Sequence, residues 1–296
     1  MTAKKTVSLA LGSGGARGMA HIGVIHWLRE HNYQITAIAG SSVGALVGGI
    51  YAAGKLDLYE NWVKALSKSD VLQLLDFAYS RAGLFSGDRI MQKLKDMLGD
   101  ATIEDLPISF TAVTTDLDNG REIWINKGSL FDAIRASIAI PSVFTPVKYH
   151  GRVLVDGGVL NPVPIAPTLR EVSDLTIAIS LSGKEVPQEE LFPKKKKEAR
   201  PETKYQRAIG NFIESIGQRW NHNEQHEEKT DMVDVMTRSI ESMQNTIARF
   251  KLAAYNPNYL LEVPANACAM FDFDRAAELI DLGYNLMDDM MKRVGK

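Results

Sequence analysis

The sequence is nearly devoid of cysteine: Cys268 is the single one in 296 residues. No intrachain disulfide can form, an oxidising compartment is not required, and Cys268 reads as a small buried hydrophobe. An excess of one charge is also missing. With 34 Lys+Arg against 36 Asp+Glu the formal net charge is −2, which gives no basic footprint for nucleic acid. No apolar run approaches the roughly 20 residues that cross a bilayer. The longest low-polarity stretch, Val43–Gly54, is 12 residues and glycine-rich. The apolar stretch after Lys4 and Lys5 is broken at Gly12, too early for a secretory signal. The expectation is a cytoplasmic protein, with peripheral contact at the inner membrane surface left open.

What is present suits a globular enzyme-sized chain, at 45% hydrophobic and 24% charged. Such a chain can fill one large α/β domain, alone or with an appendage. Short apolar runs alternate with amphipathic stretches. Thr6–Leu11 reads as a buried strand, Met19–Glu30 as a helix and Ile35–Ala39 as a second strand, completing a β-α-β unit. Helical patterns follow at Val43–Ala53, Asp57–Ala65 and Asp88–Met97. The runs Ile108–Thr114 and Arg121–Asn126 flank Asp118-Asn119-Gly120, a hairpin turn signal. A helix around Leu130–Ser137, a hairpin turning near His150-Gly151, a helix near Ile165–Glu171 and a strand at Leu175–Leu181 come next.

From Gly183 the composition changes: Pro187, Pro193 and Pro201 flank the run Lys194–Lys197, with acidic residues on both sides. Before Tyr205 such a stretch has little to bury and reads as an insertion or linker, partly disordered. Within it Tyr205, Ile209, Phe212, Ile213, Ile216 and Trp220 follow helical spacing among Lys204, Arg207 and Arg219, the pattern of an interfacial or lid helix. Met232, Met236, Ile240, Met243, Ile247 and Phe250 mark a long amphipathic helix. Packing in the fold or against a second copy, as in a homodimer, is the plainer reading of both stripes; membrane contact is the sharper one. A strand at Tyr259–Val263 and helices from Asp272 complete the chain.

After the first strand comes Gly12-Ser13-Gly14-Gly15-Ala16-Arg17-Gly18, leading directly into a helix. Glycines let the backbone approach a ligand closely, and a helix start presents free amides with partial positive charge. The loop suits a negative oxygen, from a dinucleotide phosphate or from the oxyanion of acyl transfer. A dinucleotide site needs an acidic residue at the end of the second strand. That strand runs Ile38-Ala39-Gly40-Ser41-Ser42, with no carboxylate.

Gly40-Ser41-Ser42-Val43-Gly44 fits G-x-S-x-G between an apolar strand and a helix, so Ser42 reads as a nucleophile on a sharp turn, or more plainly as a helix N-cap. In a β-α-β unit the loops after both strands emerge at one sheet edge, bringing the glycine loop and Ser42 to a common crevice. The base is open to two readings. Ser42, Asp156 and His222 or His226 satisfy the order of an α/β-hydrolase triad, but only two strands precede Ser42. Asp156 ends the apolar run Val153-Leu154-Val155 and is followed by Gly157-Gly158. Desolvation there would raise its pKa toward that of a useful base; the plainer alternative is an ordinary turn aspartate.

These motifs together resemble the patatin-like phospholipase family, in particular the bacterial branch related to neuropathy target esterase. The likeness covers about Val7 to Leu181. It is carried by Gly14-Gly15-Ala16-Arg17-Gly18 with His21-Ile22-Gly23-Val24, by Gly40-Ser41-Ser42-Val43-Gly44, by Arg135-Ala136-Ser137 with Ile140-Pro141, and by Asp156-Gly157-Gly158 with Asn161-Pro162. It departs where patatin-type loops often carry glycine and this chain has Ser13. The resemblance implies a three-layer α/β/α fold with a mostly parallel central sheet, a nucleophile elbow after the second strand and a helical C-terminal region. The expected organisation is a catalytic core at 1–182, a charged, Pro-containing insertion with a lid or interface helix at 183–230, and a C-terminal helical region at 231–296 packing on the core; the resemblance thins beyond Gly183, so the last two rest on composition and helical spacing. The implied chemistry is a Ser42–Asp156 dyad cleaving acyl esters of phospholipids or lysophospholipids, with no cofactor and no metal. Gly14 and Gly15 would form the oxyanion hole, Gly40 and Gly44 the elbow, and Gly157 and Gly158 the turn after the base. Arg17 would brace the loop or meet a headgroup. A regulatory interaction module on the same scaffold, working through 183–250, is the alternative.

Overall fold

The computed structural model describes residues 4–75, 77–80, 83–85, 88–192 and 232–295. The chain opens with β1 (Lys5–Leu11), a 3-10 turn at Gly15–Met19, α1 (Ala20–Glu30) and β2 (Tyr33–Ser41). Helices α2 (Val43–Ala52), α3 (Leu56–Lys64) and α4 (Lys68–Leu75) follow. Two short strands, β3 (Phe77–Ser80) and β4 (Gly83–Phe85), precede α5 (Asp88–Leu98). Next are β5 (Ser109–Asp116), β6 (Arg121–Ile125), α6 (Leu130–Ser137), β7 (Ser142–Phe144), β8 (Val147–Tyr149) and β9 (Arg152–Asp156). The remaining elements are β10 (Leu175–Gly183), α7 (Gln188–Leu191), α8 (Met232–Tyr255), β11 (Tyr259–Pro264) and α9 (Ala276–Val294).

The main sheet runs β11-β10-β1-β2-β5-β9-β8, with β6 paired to β5. The pairs from β11 through β5 are parallel; β6, β8 and β9 are antiparallel additions. Strand alternation sorts the side chains into layers. Leu9, Leu11, Ile177 and Ile179 join the principal core, while Ala10 and Ala178 pack on the opposite side with Val163, Ile165 and Ala248. Small alanines there let α8 lie close to the sheet, with Leu252 and Tyr255 against the same cluster. The result is the expected three-layer α/β/α arrangement. The C-terminal stretch also does more than pack on it, since β11 is part of the main sheet.

Register brings one feature of the site into being. One edge of β5 serves two strands: residues through Val113 pair with β2, and residues from Thr114 pair with β9. Ser41 lies opposite Val113 and Asp156 opposite Thr114. Since β9 runs antiparallel to β5, the C-terminal ends of β2 and β9 meet head to head. Ser42 and Asp156 stand at that meeting.

One expected element takes another form: Ile165–Glu171 holds a 3-10 turn at Ala166–Arg170 rather than an α-helix. The Ile165 carbonyl accepts from both the amide and the hydroxyl of Thr168, at 2.9 and 2.7 Å, the tighter i→i+3 pattern. The stripe 205–220, the run Lys194–Lys197, His222 and His226 lie outside the described residues.

Candidate active site

Ser42 has φ +56° and ψ −126°, an unusual backbone conformation for a residue with a side chain. Such a position costs on the order of 1–3 kcal/mol and persists when its surroundings overdetermine it. They do. Its carbonyl accepts from the amides of Ala45 and Leu46, at 2.9 and 3.1 Å. Its own amide donates to the Ser137 hydroxyl at 3.0 Å, and that hydroxyl donates to the Val113 carbonyl at 2.7 Å. Ser42 occupies the N-cap position of α2, but its side chain makes no capping bond there. Gly44 is dictated by close approach: a Cβ there would lie 2.1 Å from the Leu11 carbonyl oxygen. Gly40 likewise faces the Gly44 and Ala45 backbone. The elbow is wedged directly against the end of β1.

Asp156 is 3% exposed, and its Oδ1 accepts from the Gly158 amide at 2.7 Å. Burial pushes its pKa up to about 7; the neighbouring Ser42 hydroxyl and the Gly158 amide favour the ionised form and limit the rise. Among the described residues Oδ2 has no hydrogen-bond partner, and the Ser42 hydroxyl is close enough to favour the ionised carboxylate. Gly157 fits beneath it, where a Cβ would strike the Val113 carbonyl oxygen at 2.0 Å.

The glycine loop is held from three sides. Ser13 donates to the Pro162 carbonyl at 2.8 Å and Ala16 to the Met270 carbonyl at 2.8 Å. Between them Gly14 and Gly15 have φ +155° and +56°, and among the described residues nothing accepts from their amides. The Arg17 side chain donates to the Gly14 carbonyl at 3.2 Å and the Ala265 carbonyl at 2.6 Å, and pairs with Glu241 at 3.4 Å. Arg17 is thus a brace, tying the loop to α8 and to the segment after β11.

Ser42 opens onto two unlike spaces. A cavity of about 780 Å³ is walled almost entirely by apolar side chains, among them Leu46, Trp62, Leu74, Ile90, Leu94 and Phe273. A second cleft of about 540 Å³ brings Ser42 together with Asp156, Gly14, Gly15, Arg17 and Gln244. No histidine lines either among the described residues. His21 is buried with Nε2 on the Gly12 carbonyl at 2.9 Å, and burial lowers its pKa to about 4, which keeps it neutral. His26 pairs with Glu60, and His31 stacks on Trp27. The same residues contain no cluster of His, Cys, Asp or Glu that could hold a metal ion, and no helix among them is long and apolar enough to cross a membrane.

Several participants were invisible to motif reading. Met270 borders both spaces and accepts from the glycine loop. Glu241 and Gln244 reach the cleft from α8, far along the chain. Their helical spacing was legible, but not which element they would cover.

A parallel α/β/α scaffold with a strained serine at a strand-to-helix turn, facing a buried carboxylate and a braced glycine loop, defines a protein of patatin type. The family model for patatin-like phospholipase matches residues 9–169. An uncharacterized NTE family protein of Mycobacterium tuberculosis is 39% identical, over 94% of this chain and 89% of its own length. The lysophospholipase NTE1 of Debaryomyces hansenii is 26% identical over 98% of the chain, but only 18% of that protein is covered. The neuropathy target esterase sws of Drosophila grimshawi is 34% identical over 54% of the chain and 11% of its own length. Among solved structures, VipD from Legionella pneumophila aligns over 97% of the chain and 67% of its own, at TM-score 0.45 and 15% identity. The chain belongs to the patatin-like phospholipase family, a family of lipid hydrolases.

Proposed function

We propose that the protein is a serine acyl hydrolase that cleaves acyl esters of phospholipids or lysophospholipids through Ser42 and Asp156. The observation that carries this reading is the head-to-head meeting of β2 and β9, which sets a buried, unpartnered carboxylate oxygen beside the serine. Ser42 Oγ forms a bond to the ester carbonyl carbon as its proton passes to Asp156 Oδ2. The carbonyl oxygen gains the negative charge and is held by the Gly14 and Gly15 amides. Collapse breaks the bond to the leaving alkoxide, which takes the proton from Asp156, and the acyl chain stays on Ser42. Water then attacks, giving one proton to Asp156; the serine oxygen leaves and recovers that proton, and a carboxylic acid is released.

The two spaces suit the two halves of such a substrate. The apolar cavity matches an acyl chain and the polar cleft matches the leaving alcohol and water. The test is hydrolysis of a short p-nitrophenyl ester, with fluorophosphonate labelling. Ser42→Ala and Asp156→Asn should each abolish turnover with unchanged circular dichroism, and label should attach at Ser42. Wild-type turnover in either variant overturns the dyad. Absence of labelling at Ser42 would support a non-catalytic interaction scaffold instead.

A further inference from the structure

We propose that a groove beside α8 is a subsite for the phosphate of the leaving alcohol, with Lys184 and Arg249 as its anion-binding groups. This inference rests on the hydrolase reading above. The polar cleft at Ser42 shares Ser13, Gly14, Arg17, Glu241 and Gln244 with an adjoining polar pocket of about 700 Å³. That pocket in turn shares Ser180, Ser182, Glu241 and Asn245 with a groove of about 1080 Å³ bordered by Lys184, Arg238 and Arg249. Shared walls make the three spaces one polar path leading outward from the serine.

Charge along the path changes with distance. At the inner end Arg17 is committed to two carbonyls and to Glu241, so its charge is offset and its fork occupied. At the outer end Lys184 and Arg249 have no acidic partner among the described residues; Arg249 donates only to Thr246, one turn back at 3.4 Å. Against these cations stand Glu262 and the already paired Glu241 in the groove, and Glu185 in the adjoining pocket. The lining of the groove itself holds three cations, Lys184, Arg238 and Arg249, against Glu241 and Glu262, a formal excess of one positive charge. A phosphate mono- or diester is the anion such flexible cations bind well.

The test compares the wild-type chain with the Lys184→Gln, Arg249→Gln double variant. The substrates are a short-chain lysophosphatidylglycerol below its micelle concentration and the monoacylglycerol of the same chain. The expected result is a fall of roughly tenfold in the ratio of kcat/KM for the phosphate ester over the neutral ester, carried by KM. Both substitutions are at exposed positions, so the fold should be retained. Glycerol 3-phosphate binding, read by saturation-transfer NMR, should weaken comparably in the double variant. An unchanged ratio with unchanged binding overturns the subsite. A loss seen with anionic vesicles but not with dispersed substrate overturns it in favour of membrane docking. Inorganic phosphate binding as tightly as glycerol 3-phosphate reassigns it to the free ion. Should the wild type hydrolyse neither ester, the hydrolase reading falls, and glycerol 3-phosphate binding still decides the subsite.

Discussion

The backbone amide of Ser42 is tied to the hydroxyl of Ser137, 3.0 Å away and fully buried at the end of α6. A hydroxyl has one proton, which here goes to the Val113 carbonyl, so its lone pair is what Ser42 receives. Val113 is the residue of β5 at which β2 gives way to β9. A single side chain therefore fixes the strained serine relative to the strand that also positions Asp156.

Ser137→Ala should lower kcat while leaving KM within about twofold, because it loosens the nucleophile without touching substrate. Losing a buried hydrogen bond and leaving an amide unpaired costs on the order of 1–3 kcal/mol, so turnover should drop roughly 10- to 100-fold. The rate of fluorophosphonate labelling should fall in parallel. A merely structural role would lower the melting temperature and spare that rate measured well below it.

The pH profile follows from the state Asp156 must hold to accept a proton. With burial pushing its pKa to about 7, kcat/KM should climb through an acid limb near pH 7 and level above it. An unperturbed carboxylate would put that limb near pH 4. A flat profile between pH 5.5 and 8 would remove Asp156 from the role of base.

Stability should respond to two buried groups in opposite senses. The folded-state pKa of Asp156 lies above its ordinary value, so the native state binds more protons than the unfolded one from about pH 4 to 7, and stability falls as pH rises there. His21 is lowered from 6.5 to about 4, so the unfolded state binds more protons between those values, and stability rises with pH. In the wild type the two largely cancel between about pH 4 and 6.5. Asp156→Asn should remove the first, giving a protein more stable than wild type at pH 8 by on the order of a few kcal/mol and more sensitive to acid below pH 6.5. Denaturant midpoints across that range would show it, and parallel curves for the two proteins would refute it.

The backbone geometry of the candidate site was largely legible because each motif is a local solution to a backbone problem. Gly44 is needed where the elbow meets β1 and Gly40 where it meets the start of α2, Gly14 and Gly15 where the loop turns with positive φ, and Asp156 precedes two glycines where β9 stops beside β5. The strands with long apolar runs were legible for the same reason. What the chain order concealed is contact at a distance: the Met270 carbonyl on the glycine loop, Glu241 on Arg17, and the division of one β5 edge between two strands. The elements α4, β3 and β4 also escaped, being eight, four and three residues long, without a sustained period.

Of these, α4 lines the apolar cavity, so under the proposed ester hydrolysis it would bear on which acyl chain fits. Leu74 of α4 and Ile90 of α5 line the apolar cavity with Trp62 of α3, well away from Ser42 in sequence and with no polar role. Each methylene that such a cavity buries contributes about 0.8 kcal/mol, roughly fourfold in kcat/KM. Ile90→Phe fills space without adding a polar atom, so activity on short esters should persist while the gain with each added methylene ends sooner than in the wild type. A p-nitrophenyl ester series from four to sixteen carbons measures this directly. If the optimum stays in place and all lengths lose activity equally, the acyl chain does not occupy that cavity and must be sought in the polar cleft.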